Sequence, residues 1–150
     1  AKEDLCGDNF AFMNPEKDVI FHRISKMDFL GDAYHKDGAT YMVEVTYRKG
    51  DYTDSLSDEE IRDRVFNGMQ YLGFTKDISD LSLINLTRHQ YAYVIYDLKH
   101  KENMTAVREY FAGQGIYLNG RFGNFEYWNM DKVLREAKNM AEQIIGGDGK

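Results

Sequence analysis

A stretch of alternating side chains constrains the fold more than any other feature of this sequence. Between Ala39 and Arg48, apolar and aromatic residues occupy every second position, namely Tyr41, Val43, Val45 and Tyr47. Alternation with a period of two residues is typical of a strand with one buried and one solvated face. We therefore predict a mainly antiparallel sheet that carries residues 39–48 near its centre.

The next segment has the signature of a helix start. Ser57 can accept a hydrogen bond from a first-turn amide, and Glu60 follows three residues later, as in a capping box. Apolar residues then recur at helical spacing, and Gly73 is a plausible stop. The apolar positions of this helix are Ile61, Val65, Met69 and Leu72.

Further elements follow from the same periodicities. Apolar alternation predicts strands at 19–24, at about 81–96 and at 116–118. Apolar stripes predict two more helices. The first carries Met104, Val107 and Phe111 and ends at 113–115. The second begins at about Asn129, and its apolar face consists of Val133, Leu134, Ala137, Met140, Ala141, Ile144 and Ile145. Because two strands precede the first helix, this order indicates an α+β fold with about three helices packed on one side of the sheet. We expect a single domain over 1–150 with poorly ordered ends at 1–17 and 146–150.

Composition excludes some classes of protein. The net charge is −6, and no cluster of Lys and Arg suggests binding to a nucleic acid polymer. No apolar run approaches the roughly 18 residues of a membrane span. Cys6 is the single cysteine, so no internal disulfide can form, which favours a reducing compartment such as the cytoplasm. The 11 tyrosines fit a partly wet binding surface, because tyrosine combines an apolar ring with a polar tip, although strands around an aromatic core would also use them.

Several common catalytic and cofactor motifs are absent from the sequence. It contains no Gly-x-Gly-x-x-Gly dinucleotide turn and no phosphate-binding Gly-x-x-x-x-Gly-Lys loop. The four histidines, His22, His35, His89 and His100, have no partner at metal-ligand spacing. The acidic run 58–60 is typical of charge placed against a helix dipole. We therefore assign no catalytic and no metal-binding residue.

The segment 115–141 is the most informative part of the sequence. A predicted strand leads to Arg121, which lies between Gly120 and Gly123, and a long helix begins near Asn129. Glycine allows a backbone to approach a flat ligand closely, and the free amides of a helix start suit a carbonyl oxygen or a phosphate. An ordinary strand–turn–helix capped by Asn129 is the competing interpretation.

This segment resembles a known signature. Residues 120–131, Gly-Arg-Phe-Gly-Asn-Phe-Glu-Tyr-Trp-Asn-Met-Asp, are similar to the Gly-Arg-…-Tyr-…-Met-Asp motif of UDP-galactopyranose mutases and related protoporphyrinogen oxidase-like, flavin-containing amine oxidase-like proteins. Residues 91–97 with 102–103 resemble the family's tyrosine-rich strand and the helix after it, and 18–24 resemble its first substrate-domain strand. Together these stretches cover most of 18–145.

The resemblance implies a cofactor and a set of site residues. In the family this motif is the second contact with FAD, which implies Gly120, Arg121, Asn129, Met130 and Asp131 as cofactor-binding residues. Amides of Met130 and Asp131 would meet the flavin's pyrimidine edge, and Asp131 would lie near the ribityl chain. Arg121 would lie beside the flavin and the phosphates of the substrate.

The remaining implied residues belong to the substrate pocket. Tyr127 matches a pocket tyrosine of the family, and Tyr93 and Tyr96 are further candidates. The expected ligand is a small molecule, such as a nucleotide sugar.

Two departures from the family pattern shape the functional prediction. Galactopyranose mutases generally have Asp-Met-Asp where this chain has Asn129-Met130-Asp131, which leaves both a mutase and an oxidoreductase relative open. The family's glycine-rich FAD-binding segment is missing, so we expect a substrate-side fragment that is inactive alone and holds FAD only within a longer protein. A stand-alone α+β module that binds a sugar or a peptide, and a purely structural interaction domain, are the alternatives from other classes.

Overall fold

The structure is a computed structural model that describes residues 1–34 and 38–147. The chain divides into two compact units, Ala1–Thr87 and Arg88–Lys150. The first contains strands β1 (Ala11–Met13), β2 (Arg23–Lys26) and β3 (Tyr41–Glu44) and helix α1 (Asp58–Tyr71). The second contains helices α2 (His100–Gly113), α3 (Gly120–Gly123) and α4 (Met130–Gly147). Of the expected loose tail at 146–150, residues 148–150 lie outside the described residues, as does His35, and the first two residues of that tail belong to α4.

The sheet is antiparallel, with the strand order β1-β2-β3. Ile24 of β2 pairs with Phe12 on one side and with Val43 on the other. The α+β prediction is therefore confirmed, but the position of residues 39–48 was wrong, because β3 lies at an edge and β2 at the centre. Alternation reports which face of a strand is buried and carries no information on how many neighbours the strand has.

The core of the first unit lies between this sheet and α1. Phe21 and Ile24 are 2% and 1% exposed, and both belong to the same cluster as the apolar stripe of α1. The members of that stripe are Ile61, Val65 and Met69. Of the three predicted helices, α1 is thus the one that shares a unit with the sheet.

Helix α1 begins as the sequence predicts. The Glu60 amide donates to Ser57 Oγ at 3.1 Å, and the Ser57 amide donates to Glu60 Oε2 at 2.8 Å, which completes the capping box. Leu72 is the C-cap, and Gly73 follows with φ +83°. The left-handed conformation at that position is one that glycine adopts without strain.

The first 17 residues make several contacts with the rest of the first unit. They provide β1, and Cys6 is buried in the core cluster. Lys26 Nζ donates to the Gly7 carbonyl at 2.8 Å and forms ion pairs with Asp4 and Asp28. These contacts join loops to a strand, so they leave no periodic pattern from which sequence reasoning could have found them.

Two predicted strands do not form. Residues 81–96 and 116–118 contain no strand in the described part of the chain. Their apolar side chains are mostly exposed, with Leu83, Ile84 and Ile95 among them and Val94 as the buried exception. An apolar run becomes a strand only when another strand satisfies its backbone, and within the described residues the sheet consists of β1, β2 and β3 alone.

The second unit confirms two other sequence predictions. Helix α2 ends at Gly113, and helix α4 begins at Met130, as the glycines of 113–115 and the residues after Asn129 indicated. Within residues 1–34 and 38–147, no helix has both the length and the apolar character needed to cross a bilayer.

Candidate functional site

The second unit contains a cationic side chain that contacts two tyrosine rings. The guanidinium carbon of Arg121 lies 4.3 Å from the centre of the Tyr127 ring and 5.1 Å from that of Tyr93. The two rings are themselves neighbours, with centres 5.6 Å apart and hydroxyl oxygens 3.2 Å apart. Attraction between a cation and an aromatic face therefore holds the guanidinium in place.

Arg121 retains unused hydrogen-bond donors. Its Nε and Nη2 are buried and have no hydrogen-bond partner among the described residues. These two nitrogens form one edge of the planar guanidinium, the edge that matches two oxygens of a carboxylate or phosphate. The tyrosine pair and its own short helix partly enclose Arg121.

A single helical turn presents Arg121. The Asn119 side chain accepts from the Gly120 amide at 2.7 Å, and Gly120 has φ +79°, a conformation that favours glycine. Asn124 Nδ2 donates to the Leu118 and Gly120 carbonyls at 3.2 and 3.3 Å, which closes the turn. Gly120 is thus required by backbone geometry, whatever ligand the site binds.

The residues after this turn are held by contacts with α2 and with Tyr96. Tyr96 Oη accepts from the Tyr127 amide at 2.6 Å and donates to Glu126 Oε2 at 3.0 Å. Arg108 Nη2 lies 3.7 Å from Glu126 Oε1. The cation that faces the Glu126 carboxylate is therefore Arg108.

Helix α4 begins with amides that lack an acceptor within the helix. The Val133 amide donates to the Asn129 carbonyl at 3.0 Å, so the amides of Met130, Asp131 and Lys132 precede the first helical hydrogen bond. Helix α3, which contains Arg121, is in contact with α4. The helix start suits a neutral oxygen acceptor, because the carboxylate of Asp131 in the first turn opposes an anion there.

The structure brings several of the sequence-predicted site residues together. Arg121, Tyr93, Tyr96 and Tyr127 form one cluster, and Gly120 shapes the turn that holds it. Asn129, Met130 and Asp131 lie together at the start of α4.

Sequence reasoning gave no role to His100 and Arg108. Neither belongs to an apolar stripe or to a ligand-spacing motif, so their roles follow only from three-dimensional contacts. Within the described ranges, no group of three or more His, Cys, Asp or Glu side chains could hold a metal ion.

Comparison with known proteins adds no assignment to this geometry. No protein-family model, no curated protein and no solved structure matches the chain. The functional argument therefore depends on the residues of the site and on the chemistry they permit.

Proposed function

We propose that this chain forms the substrate-binding side of an FAD-dependent enzyme, either a nucleotide-sugar isomerase similar to UDP-galactopyranose mutases or a related oxidoreductase. One observation carries the proposal: Arg121 lies against Tyr93 and Tyr127 with two buried donors unpaired. The sequence resemblance names these same residues as ligand contacts. Their proximity supports that reading.

The unpaired donors favour an oxygen-rich ligand. Leaving a buried donor without a partner disfavours the ligand-free state by about 1–3 kcal/mol per group, more when the group is charged. A phosphate or carboxylate that bridges Nε and Nη2 removes this penalty and neutralises the cation. Tyr93 and Tyr127 are about half exposed, at 51% and 48%, so their rings can also pack against a sugar or base.

The residues at the start of α4 fit one edge of a flavin. Met130 and Asp131 offer amides for a carbonyl oxygen, and the Asp131 carboxylate can accept from a hydroxyl. FAD, when bound, supplies the ring that exchanges electrons or bonds with the substrate. The residues of this chain bind and orient, and nothing in them replaces a glycine-rich diphosphate segment, so the chain alone is proposed to be inactive.

The proposal extends to partners and compartment. The ligand is a small molecule, not a nucleic acid polymer, because the chain has a net charge of −6. Cys6 is a free and buried thiol, which suits a reducing compartment such as the cytoplasm.

A second candidate is a stand-alone module that binds a sugar or a peptide without flavin. The exposed tyrosines of the second unit favour it, since such rings commonly line wet binding surfaces. They include Tyr91, Tyr93, Tyr96, Tyr110, Tyr117 and Tyr127. In this version Arg121 still binds an anion, but the start of α4 has no ligand.

Titrations of the full chain test both versions. We would measure binding of inorganic pyrophosphate and of UDP-galactose by NMR for the wild-type protein and for Arg121→Lys. Arg62→Lys is the matched control, because Arg62 is on α1 in an ion pair with Asp63. We expect Arg121→Lys to weaken binding at least tenfold and Arg62→Lys to leave it unchanged.

The titrations have two further outcomes. Equal binding by wild type and Arg121→Lys would remove the anion site from the proposal. At FAD concentrations high enough to populate a weak complex, a shift of the Met130 and Asp131 amides would support the flavin version. No shift of these amides under the same conditions would favour the stand-alone module.

A further inference from the structure

We infer that Tyr96 is a positioning residue for the Arg121 site, which acts through its backbone and carboxylate partners and not on the ligand. This inference rests on the proposed function and refines it. The single proton of the Tyr96 hydroxyl is donated to Glu126 Oε2 at 3.0 Å, and the oxygen accepts from the Tyr127 amide at 2.6 Å. The hydroxyl thus has no donor left for a substrate, although the resemblance places Tyr96 among the substrate contacts.

The loop that Tyr96 contacts has a conformation that needs support. Phe125 has φ +48°, which a side chain other than glycine adopts at a cost of about 1–2 kcal/mol. The Phe125 carbonyl accepts from His100 Nε2 at 2.7 Å, and the two rings stack with centres 6.0 Å apart. Since a carbonyl only accepts, this contact requires the proton on Nε2 of His100.

The carboxylate of Glu126 is held at both oxygens. Oε2 accepts from Tyr96, and Oε1 lies 3.7 Å from Arg108 Nη2, which also donates to the Asn124 carbonyl at 3.3 Å. The Glu126 amide donates to the Arg121 carbonyl at 2.9 Å. The loop is therefore fixed on one side to α2 and on the other to the backbone of Arg121 itself.

These contacts determine where the Tyr127 ring lies. The amide that Tyr96 accepts from belongs to Tyr127, whose ring centre is 4.3 Å from the guanidinium carbon of Arg121. Losing the hydroxyl frees this amide and one Glu126 oxygen together. The Tyr127 ring then moves away from Arg121, and the two unpaired donors lose their fixed direction.

An NMR experiment without ligand tests the positioning role directly. The Arg121 Nε–Hε resonance reports on the nearby rings, since aromatic ring currents displace it from the value of an exposed arginine. We expect Tyr96→Phe to move this resonance toward the exposed value. Tyr117→Phe, the same change at an exposed tyrosine of the same unit, should leave it in place. An unmoved resonance in folded Tyr96→Phe would overturn the inference whatever the ligand is.

A conservative pair keeps the test decisive if Tyr96→Phe does not fold. Glu126→Gln retains an oxygen that accepts from Tyr96, and Glu126→Ala removes it. We expect Glu126→Gln to keep the Arg121 resonance near its wild-type position and Glu126→Ala to displace it. The same displacement in both variants, or in neither, would contradict the inference.

Pyrophosphate affinity separates this inference from the proposed function. We expect Tyr96→Phe to weaken pyrophosphate binding by between about threefold and tenfold, the worth of one hydrogen bond. In an Arg121→Lys background the same change should have almost no further effect, because residues that act as one unit are not additive. If the effects of Tyr96→Phe and Arg121→Lys on pyrophosphate affinity were fully additive, the positioning role would be refuted. If the wild-type protein did not bind pyrophosphate but Tyr96→Phe still moved the Arg121 resonance, only the anion site would be refuted.

Discussion

The guanidinium carbon of Arg121 lies 4.3 Å from the centre of the Tyr127 ring, while its Nε and Nη2 make no hydrogen bond within the described residues. A ring can attract a guanidinium through its face without using any N–H donor. Tyr93 and Tyr127 can therefore orient the arginine without using its Nε and Nη2 donors. This is the property that separates Arg121 from Arg108, whose guanidinium is used by Glu126 and Asn124.

Arg121→Met should not destabilise the protein. The substitution loses ring contacts worth about 0.5–2 kcal/mol but also removes two buried unpaired donors, each of which disfavours the folded state by about 1–3 kcal/mol. We expect the free energy of unfolding from urea titration to be equal to that of wild type or higher. A loss of several kcal/mol would show that Arg121 braces the fold, and pyrophosphate binding by the variant would contradict the ligand role.

Gly68→Ala and Gly113→Ala should have opposite effects on stability. A Cβ at Gly68 would meet Phe21 and Val19 carbons at 2.9 Å, so we expect a loss of about 1–3 kcal/mol from overpacking. A Cβ at Gly113 meets nothing within 4 Å, so the better helix former should add up to about 1 kcal/mol. Thermal unfolding of both variants checks this pair. Equal changes in the stability of the two variants would mean that α1 does not pack against Phe21 as described.

The capping box of α1 should make stability depend on pH in the acid range. The Ser57 amide donates to the Glu60 carboxylate, which lowers the pKa of Glu60 below its ordinary value of 4.5. A carboxyl whose pKa is lower in the folded state stabilises the protein above its unfolded pKa and loses that contribution as pH falls through the folded pKa. The stability difference between wild type and Glu60→Gln should therefore be present at pH 7 and shrink below about pH 4.5.

Ser57→Ala provides the companion measurement for α1. It removes the acceptor of the Glu60 amide and should destabilise the protein by about 1 kcal/mol at neutral pH. Urea titrations at pH 7 and pH 3 compare the two variants. If the stability difference between wild type and Glu60→Gln grew as the pH fell, the lowered pKa assigned to Glu60 would be contradicted.

The chain alone should bind FAD poorly. A few amides at the start of α4 contribute about 0.5–1.5 kcal/mol net each, whereas association has to overcome at least about 4 kcal/mol. We expect FAD added to the purified chain to separate from it on gel filtration. A yellow protein peak would show that residues of this chain hold the cofactor without further help.

Sequence reasoning found the elements whose causes are local. Ser57, Glu60 and Gly73 specify where α1 begins and ends through their own side chain or backbone, and the structure has the helix there. The buried face of β3 was likewise correct, since Tyr41 and Val43 pack on the core and Met42 is exposed. The centre of the sheet was wrong, because pairing with distant strands has no local signal.

The residues of the candidate site also fall into those with a signal in the sequence and those without one. Arg121 and its tyrosines were predicted as site residues through a resemblance of sequence, and Gly120 through the turn that it permits. His100, Arg108 and Glu126 act through contacts between residues 16 to 25 positions apart, and nothing in the sequence marks those pairs. The overpredicted strand at 81–96 has the same origin, since strand propensity there meets no partner.

The ordered start of the chain affects how the protein can be shortened. The residues before Pro15 show no helical or strand periodicity, so a truncation chosen from the sequence alone would remove them first. Such a deletion takes away an edge of the sheet along with Cys6, and it strips Asp4 and the Gly7 carbonyl from Lys26. Lys26 would keep only Asp28 as a counter-charge among those contacts. A version that begins at residue 18 should therefore be recovered mainly as insoluble protein.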